Sequence, residues 1–138
     1  MKKLSVILII ALVFISSPAL GVEPEGTYKY TQKGFDGEMK VTKTIGQTLG
    51  SRPYMISLET VNRQSAHTCE IEKIMEVDAA RISSSSTVEM YFAEKDGAKF
   101  SVKFTSSGAV IKVEDAGGMC GMSGGFDGKW VRKASRKK

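Results

Sequence analysis

The chain has 138 residues, with 20 Lys+Arg against 15 Asp+Glu, two cysteines and one histidine, and 41% of it is apolar. That is one domain with enough apolar side chains for a core, which excludes disorder. Two cysteines exclude a disulfide-dense scaffold, and a single histidine excludes a His-rich metal centre.

Met1-Lys2-Lys3 is a cationic start, and Leu4 to Ile15 is apolar apart from Ser5. Ser16-Ser17-Pro18 breaks that run, and Ala19 and Gly21 place small residues around a cleavage point. This layout predicts a secretory signal over residues 1–21, cut near Gly21. The rival is a transmembrane anchor, but twelve helical residues cover about 18 Å against a hydrocarbon core of about 30 Å. A lipid anchor would need a cysteine near the cut, and the first is Cys69. The expected product is periplasmic or secreted, has no stable membrane anchor and begins near Val22.

Without Lys2 and Lys3 the balance is 18 basic against 15 acidic residues. Six of those basic residues (Lys129, Arg132, Lys133, Arg136, Lys137 and Lys138) lie in the last ten positions, so residues 22–128 carry a net charge of −3. The basic excess therefore belongs to the C-terminal end, with residues 134–138 read as a basic tail. A body without a basic-aromatic stripe argues against nucleic acid as a partner.

From Gly26 onward the dominant signal is two-residue alternation bounded by turn residues. Gly26 to Thr31 alternates aromatic with polar, Gly34-Phe35-Asp36-Gly37 reads as a turn, and Met39, Val41 and Ile45 continue on alternate positions. Residues 46–53 read as a loop, and Ile56, Leu58 and Thr60 mark a third strand. Residues 69–82 are ambiguous. Ile71, Ile74, Met75, Ala79 and Ile82 fit one helical face, whereas Cys69, Ile71 and Lys73 alternate with Glu70 and Glu72. Strand is preferred for 68–77, with a second short strand near 80–84.

Val88, Met90 and Phe92 share a face, and Glu94 to Gly97 turns the chain. Phe100, Val102 and Phe104 then point inward, with Lys99, Ser101 and Lys103 outward. Ser106-Ser107-Gly108 turns again before Ile111 and Val113, and residues 129–133 form a last strand bearing Trp130. The fold class expected is all-β: an up-and-down antiparallel barrel of about eight strands over residues 22–133. Tyr28, Met39, Val41, Met90, Phe92, Phe100, Phe104 and Trp130 are its expected core. A barrel of that size is filled by side chains or holds one small ligand. One internal echo stands out: Gly34-Phe35-Asp36-Gly37 recurs as Gly125-Phe126-Asp127-Gly128. A duplicated binding loop and coincident turn chemistry both fit it.

Export puts Cys69 and Cys120 in an oxidising compartment, where two cysteines in one small domain pair; two free thiols are the alternative. The bond would close a loop of about 52 residues and contribute roughly 4 kcal/mol.

Catalytic constellations are sparse. The glycine-rich stretch 117–125 fails the Walker pattern, with Ser123 and Trp130 where Gly and Ser or Thr are needed, and reads as a tight connection around the disulfide. His67 has no nucleophile motif to serve and is expected at a loop or strand edge. Glu70/Glu72 and Glu76/Asp78 have the residue types of a glycosidase couple, but on strands their shared face is the solvated one. No enzyme, no cofactor and no metal site are expected.

The segment Cys120-Gly121-Met122-Ser123-Gly124-Gly125-Phe126-Asp127-Gly128-Lys129-Trp130, with Cys69-Glu70-Ile71-Glu72 before it, resembles the ends of small secreted bacterial β-barrel proteins. Among these are lysozyme inhibitors and related uncharacterised envelope proteins. Trp130 stands where that pattern commonly has tyrosine. The inhibitor signature Ser-Gly-x-x-Tyr is met here only by Ser107 and Gly108, with Ile111 in the tyrosine's place. The resemblance implies a barrel with a disulfide and a protein partner, possible targets being lysozyme-type hydrolases met by Ser107 and Gly108. The reading is thus a non-catalytic exported binding module. Its alternatives are a carrier holding an apolar ligand in the barrel, and a binder of anionic envelope polymer through the basic tail.

Overall fold

The computed structural model describes residues 21–45, 51–78, 86–93, 97–116, 118, 120 and 125–134. The signal segment, the short strand expected near 80–84, most of the turn at 94–97 and the tail after Ala134 lie outside the described residues.

Eight strands carry the chain: β1 (Gly26–Gln32), β2 (Phe35–Lys43), β3 (Ser51–Asn62), β4 (Thr68–Asp78), β5 (Val88–Ala93), β6 (Lys99–Phe104), β7 (Gly108–Asp115) and β8 (Gly128–Arg132). They form one sheet in the order β4-β3-β2-β1-β8-β7-β6-β5, every pair antiparallel, with no helix among the described residues. The sheet curls into a nearly closed up-and-down barrel. The distant strands β1 and β8 close one side through Tyr28↔Arg132 and Lys29↔Val131. The seam lies between the consecutive strands β4 and β5, which share no ladder. Lys73 bridges it, its ammonium 4.8 Å from the centre of the Phe92 ring.

Period-two patterning explains which side chains point in. Tyr28, Tyr30, Met39, Val41, Tyr54, Ile56, Leu58, Met90, Phe100, Val102, Phe104, Ile111 and Trp130 are all 2% exposed or less. The ambiguous stretch is strand through Asp78, paired with β3 from Ser51↔Asp78 to Val61↔Thr68. Ile74, which a helical face would have buried, is 64% exposed, while Cys69, Ile71, Met75 and Val77 point inward. Cys69 and Cys120 form the expected disulfide, Cα to Cα 4.8 Å, and tie the β7–β8 connection to β4.

Several boundaries differ from the sequence reading. The first hairpin turns at Lys33-Gly34, both at positive φ (53° and 81°), so Phe35, Asp36 and Gly37 belong to β2. Two left-handed residues match the twist of the flanking strands, and Gln32↔Phe35 closes the turn. β3 begins at Ser51, so Ser51, Arg52 and Pro53 belong to a strand and not to the loop expected over 46–53. Ile45 lies beyond β2 and is 96% exposed, because β2 ends at Lys43, where its ladder with β3 ends at Lys43↔Tyr54. Gly108 is the first residue of β7 and not part of the turn.

Candidate functional site

The barrel has two ends, and side chains from the chain itself cover both. At the first end, residues 22–25 fold across the opening, with Val22 and Pro24 buried. Three inward or rim side chains hold this segment. The Tyr28 hydroxyl donates to the Pro24 carbonyl (2.7 Å), the Tyr54 hydroxyl to Glu23 Oε1 (2.7 Å) and Arg132 Nη2 to the Glu23 carbonyl (2.8 Å). Arg132 also donates to the Glu25 carbonyl, and Lys43 pairs with Glu23 at 3.2 Å.

These contacts set the local electrostatics. Partial burial works to raise the Glu23 pKa, but the Tyr54 and Lys43 hydrogen bonds with the charges of Lys43 and Arg52 outweigh it, and the carboxyl sits below its ordinary value. Burial and the bond to Glu23 push the Tyr54 phenol well above its ordinary value. Burial also raises Tyr28.

At the second end Phe126 is the plug: it is 2% exposed and meets Phe100 edge-on, centroids 5.6 Å apart. Its carbonyl accepts from Trp130 Nε1 at 3.0 Å, and the next carbonyl, of Asp127, accepts from the Tyr30 hydroxyl at 2.8 Å. The two Gly-Phe-Asp-Gly copies meet here. Phe35 occupies the space a side chain on Gly125 would need, and Lys33 Nζ pairs with Asp127 Oδ2 at 3.1 Å.

The expected core residues are where the alternation places them. Tyr28, Met39, Val41, Met90, Phe100, Phe104 and Trp130 fill the interior, and Phe92 is half-buried at the seam. They contact one another: Tyr28 lies 5.6 Å from Phe104 and Phe92 5.2 Å from Phe100, ring centre to ring centre. Side chains that could have lined a ligand cavity thus serve as each other's packing partners.

Ser107 is exposed in the β6–β7 turn, whereas Gly108 is buried against the Trp130 carbonyl and cannot reach a partner. Ser107 and Ser106 form one wall of a groove of about 760 Å³ at the first end, completed by Glu25, Gly26, Thr27, Glu38, Arg132, Lys133 and Ala134. Lys133 Nζ lies 3.1 Å from Glu38, so three of the six C-terminal cations (Lys129, Arg132 and Lys133) belong to the barrel wall and its edge. His67 is exposed between β3 and β4, its carbonyl accepting from Asn62 N at 2.9 Å. Glu70 and Glu72 are exposed on the outer wall; the side chains of Glu76 and Asp78 lie outside the described residues. No group of three or more His, Cys, Asp or Glu able to hold a metal occurs among the described residues.

Sequence reading missed the N-terminal strap and the groove beside it. Alternation carries no signal for a strap held by Tyr28, Tyr54 and Arg132 from three different strands. The chain matches no protein-family model, no curated protein and no solved structure.

Proposed function

We propose that this chain is a non-catalytic binding module, exported after cleavage near Gly21, that acts on a protein partner through the rim of its barrel. The observation that carries this reading is the packing of the interior. Tyr28, Met39, Val41, Met90, Phe100, Phe104 and Trp130 are each 1% exposed or less, which favours an outer surface over an internal ligand. The disulfide supports an oxidising destination. The concave feature best suited to a partner is the groove between the N-terminal strap and the Ser106-Ser107 turn. It offers hydroxyls and charges of both signs, which suits a polar loop more than an apolar side chain.

Lysozyme-type hydrolases are the first partners to test, with Ser107 at the contact. The oxidised chain is expected to slow lysozyme clearing of a bacterial suspension, and Ser107→Trp to relieve that inhibition without lowering stability. No inhibition of any lysozyme class at micromolar excess would end the lysozyme version. A pull-down from envelope extract with wild type and Ser107→Trp then tests the broader reading, which requires a protein captured only by wild type.

A further inference from the structure

The charges on the outer wall are not evenly mixed. Around β1 and β2, among the described residues, all but Lys40 are paired: Lys29 and Lys133 on Glu38, Lys43 on Glu23, Lys33 on Asp127 and Arg63 on Asp36. On β6, β7 and β8 three lysines are not. Lys103, Lys112 and Lys129 are exposed, and none makes an ion pair among the described residues. The register places them together. Lys103 and Lys129 flank Val110 from either side, and Lys112 is two residues along from Val110 on the same face. Strand spacing sets the first two about 10 Å apart, with Lys112 about 7–8 Å diagonally from each. Glu89 on β5 stands opposite Lys103 at the margin, and the nearby Glu114 is engaged by the Tyr91 hydroxyl at 3.0 Å.

The opposite side of the barrel gathers charges of the other sign. Glu59 lies directly across from Glu70, with Glu72 two residues on, all exposed. Like charges on neighbouring strands cost stability. A chain that pairs most of its charges on β1 and β2 yet gathers like charges on both flanks has a field directed across the barrel.

We propose that the Lys103–Lys112–Lys129 face binds a linear polyanion, a polymer carrying phosphate, sulfate or carboxylate groups at intervals. Three ammonium groups on a convex wall match charges strung along a chain, because curvature brings only a narrow strip of the barrel to any one plane. A flat bilayer would touch fewer of them. The acidic flank repels the same polymer and so fixes which side approaches. This places the contact on the body of the domain and not on residues 134–138.

The test uses the full oxidised chain on immobilised heparin, eluted with salt. Wild type should be retained, and Lys103→Gln/Lys112→Gln/Lys129→Gln should bind about tenfold more weakly or worse at low salt. The slope of log affinity against log salt should fall by about two to three. Lys103→Arg/Lys112→Arg/Lys129→Arg should be retained, and so should Lys33→Gln/Lys40→Gln/Lys43→Gln, which removes the same net charge from the β1–β2 hairpin. Truncation after Lys133 should leave most of the retention. Equal losses from both Gln sets, or loss on truncation alone, would overturn the proposal. Tighter binding to phosphatidylcholine vesicles containing phosphatidylglycerol than to heparin would also overturn it, in favour of a membrane surface.

Discussion

Tyr30 on β1 and Trp130 on β8 stack with ring centres 4.8 Å apart and planes at 28°, across the one strand pair that joins the two ends of the chain. Their polar atoms bind neighbouring carbonyls, the indole on Phe126 and the phenol on Asp127. The closing pair has a short ladder, so this stack and the plug it holds contribute much of the closure. Trp130→Ala is expected to cost about 3–5 kcal/mol, and Trp130→Phe clearly less, by urea unfolding monitored with far-ultraviolet dichroism.

Beside that stack, Gly37 leaves room that a side chain would close. A Cβ there would lie 2.7 Å from the Glu59 carbonyl oxygen and 2.7 Å from Thr60 Cγ2. Gly37→Ala should lose about 1–3 kcal/mol through overpacking, read as a lower urea midpoint at unchanged slope.

Thr60, between Gly37 and Cys69 in the ladder, is fully buried, and its hydroxyl has no hydrogen-bond partner among the described residues. A buried unsatisfied hydroxyl is costly, while its methyl packs well. Thr60→Val is therefore expected to stabilise the fold by about 1 kcal/mol. Thermal unfolding checks this, and a lower melting temperature would contradict it.

The strap at the first end makes stability depend on pH from both sides. Glu23 has a folded pKa below its ordinary value, so its contribution is complete above the ordinary carboxylate range and is lost as pH falls through the folded value. Tyr54 has a raised pKa, so its contribution is complete below the ordinary tyrosine value of 10.0 and is lost at higher pH. Tyr54→Phe should reduce both slopes. Urea midpoints measured from about pH 3 to about pH 11 would show whether it does.

The two Gly-Phe-Asp-Gly copies should respond unequally. Asp127 accepts from Val113 N at 3.3 Å and pairs with Lys33, whereas the Asp36 carboxylate pairs with Arg63 at 3.4 Å on the surface. Asp127→Ala should cost about 1–2 kcal/mol by leaving a backbone donor unpaired, and Asp36→Ala less than about 0.5 kcal/mol. Equal losses would mean that the copies are equivalent, as a duplicated loop would require.

Much of the barrel was legible because a strand with one wet face writes its orientation into the sequence. Phe100, Val102 and Phe104 against Lys99, Ser101 and Lys103 needed no structure to be assigned. Residues 69–78 were harder, since Ile71, Ile74 and Met75 fit a helical face while Cys69, Ile71 and Lys73 alternate; the preference for strand agrees with the pairing to β3. The position of the first turn was misread because Asp-Gly chemistry at residues 36–37 competed with Lys33-Gly34. The winning turn is the one that brings Met39 opposite Tyr28 with both facing inward.

The sequence by itself determined which side of each strand is wet, where most strands run and which two sulfurs are available to join. Only the tertiary structure decided that β8 lies beside β1, that the seam falls between β4 and β5, and that Phe126 and the 22–25 strap cover the two ends. It also decided that lysines distant in sequence share one wall while glutamates share the other. The reason is physical: alternation is a local property of one strand, set by the pleat and by water. The choice of neighbouring strand is set by closure of the whole sheet, which no single stretch of residues encodes.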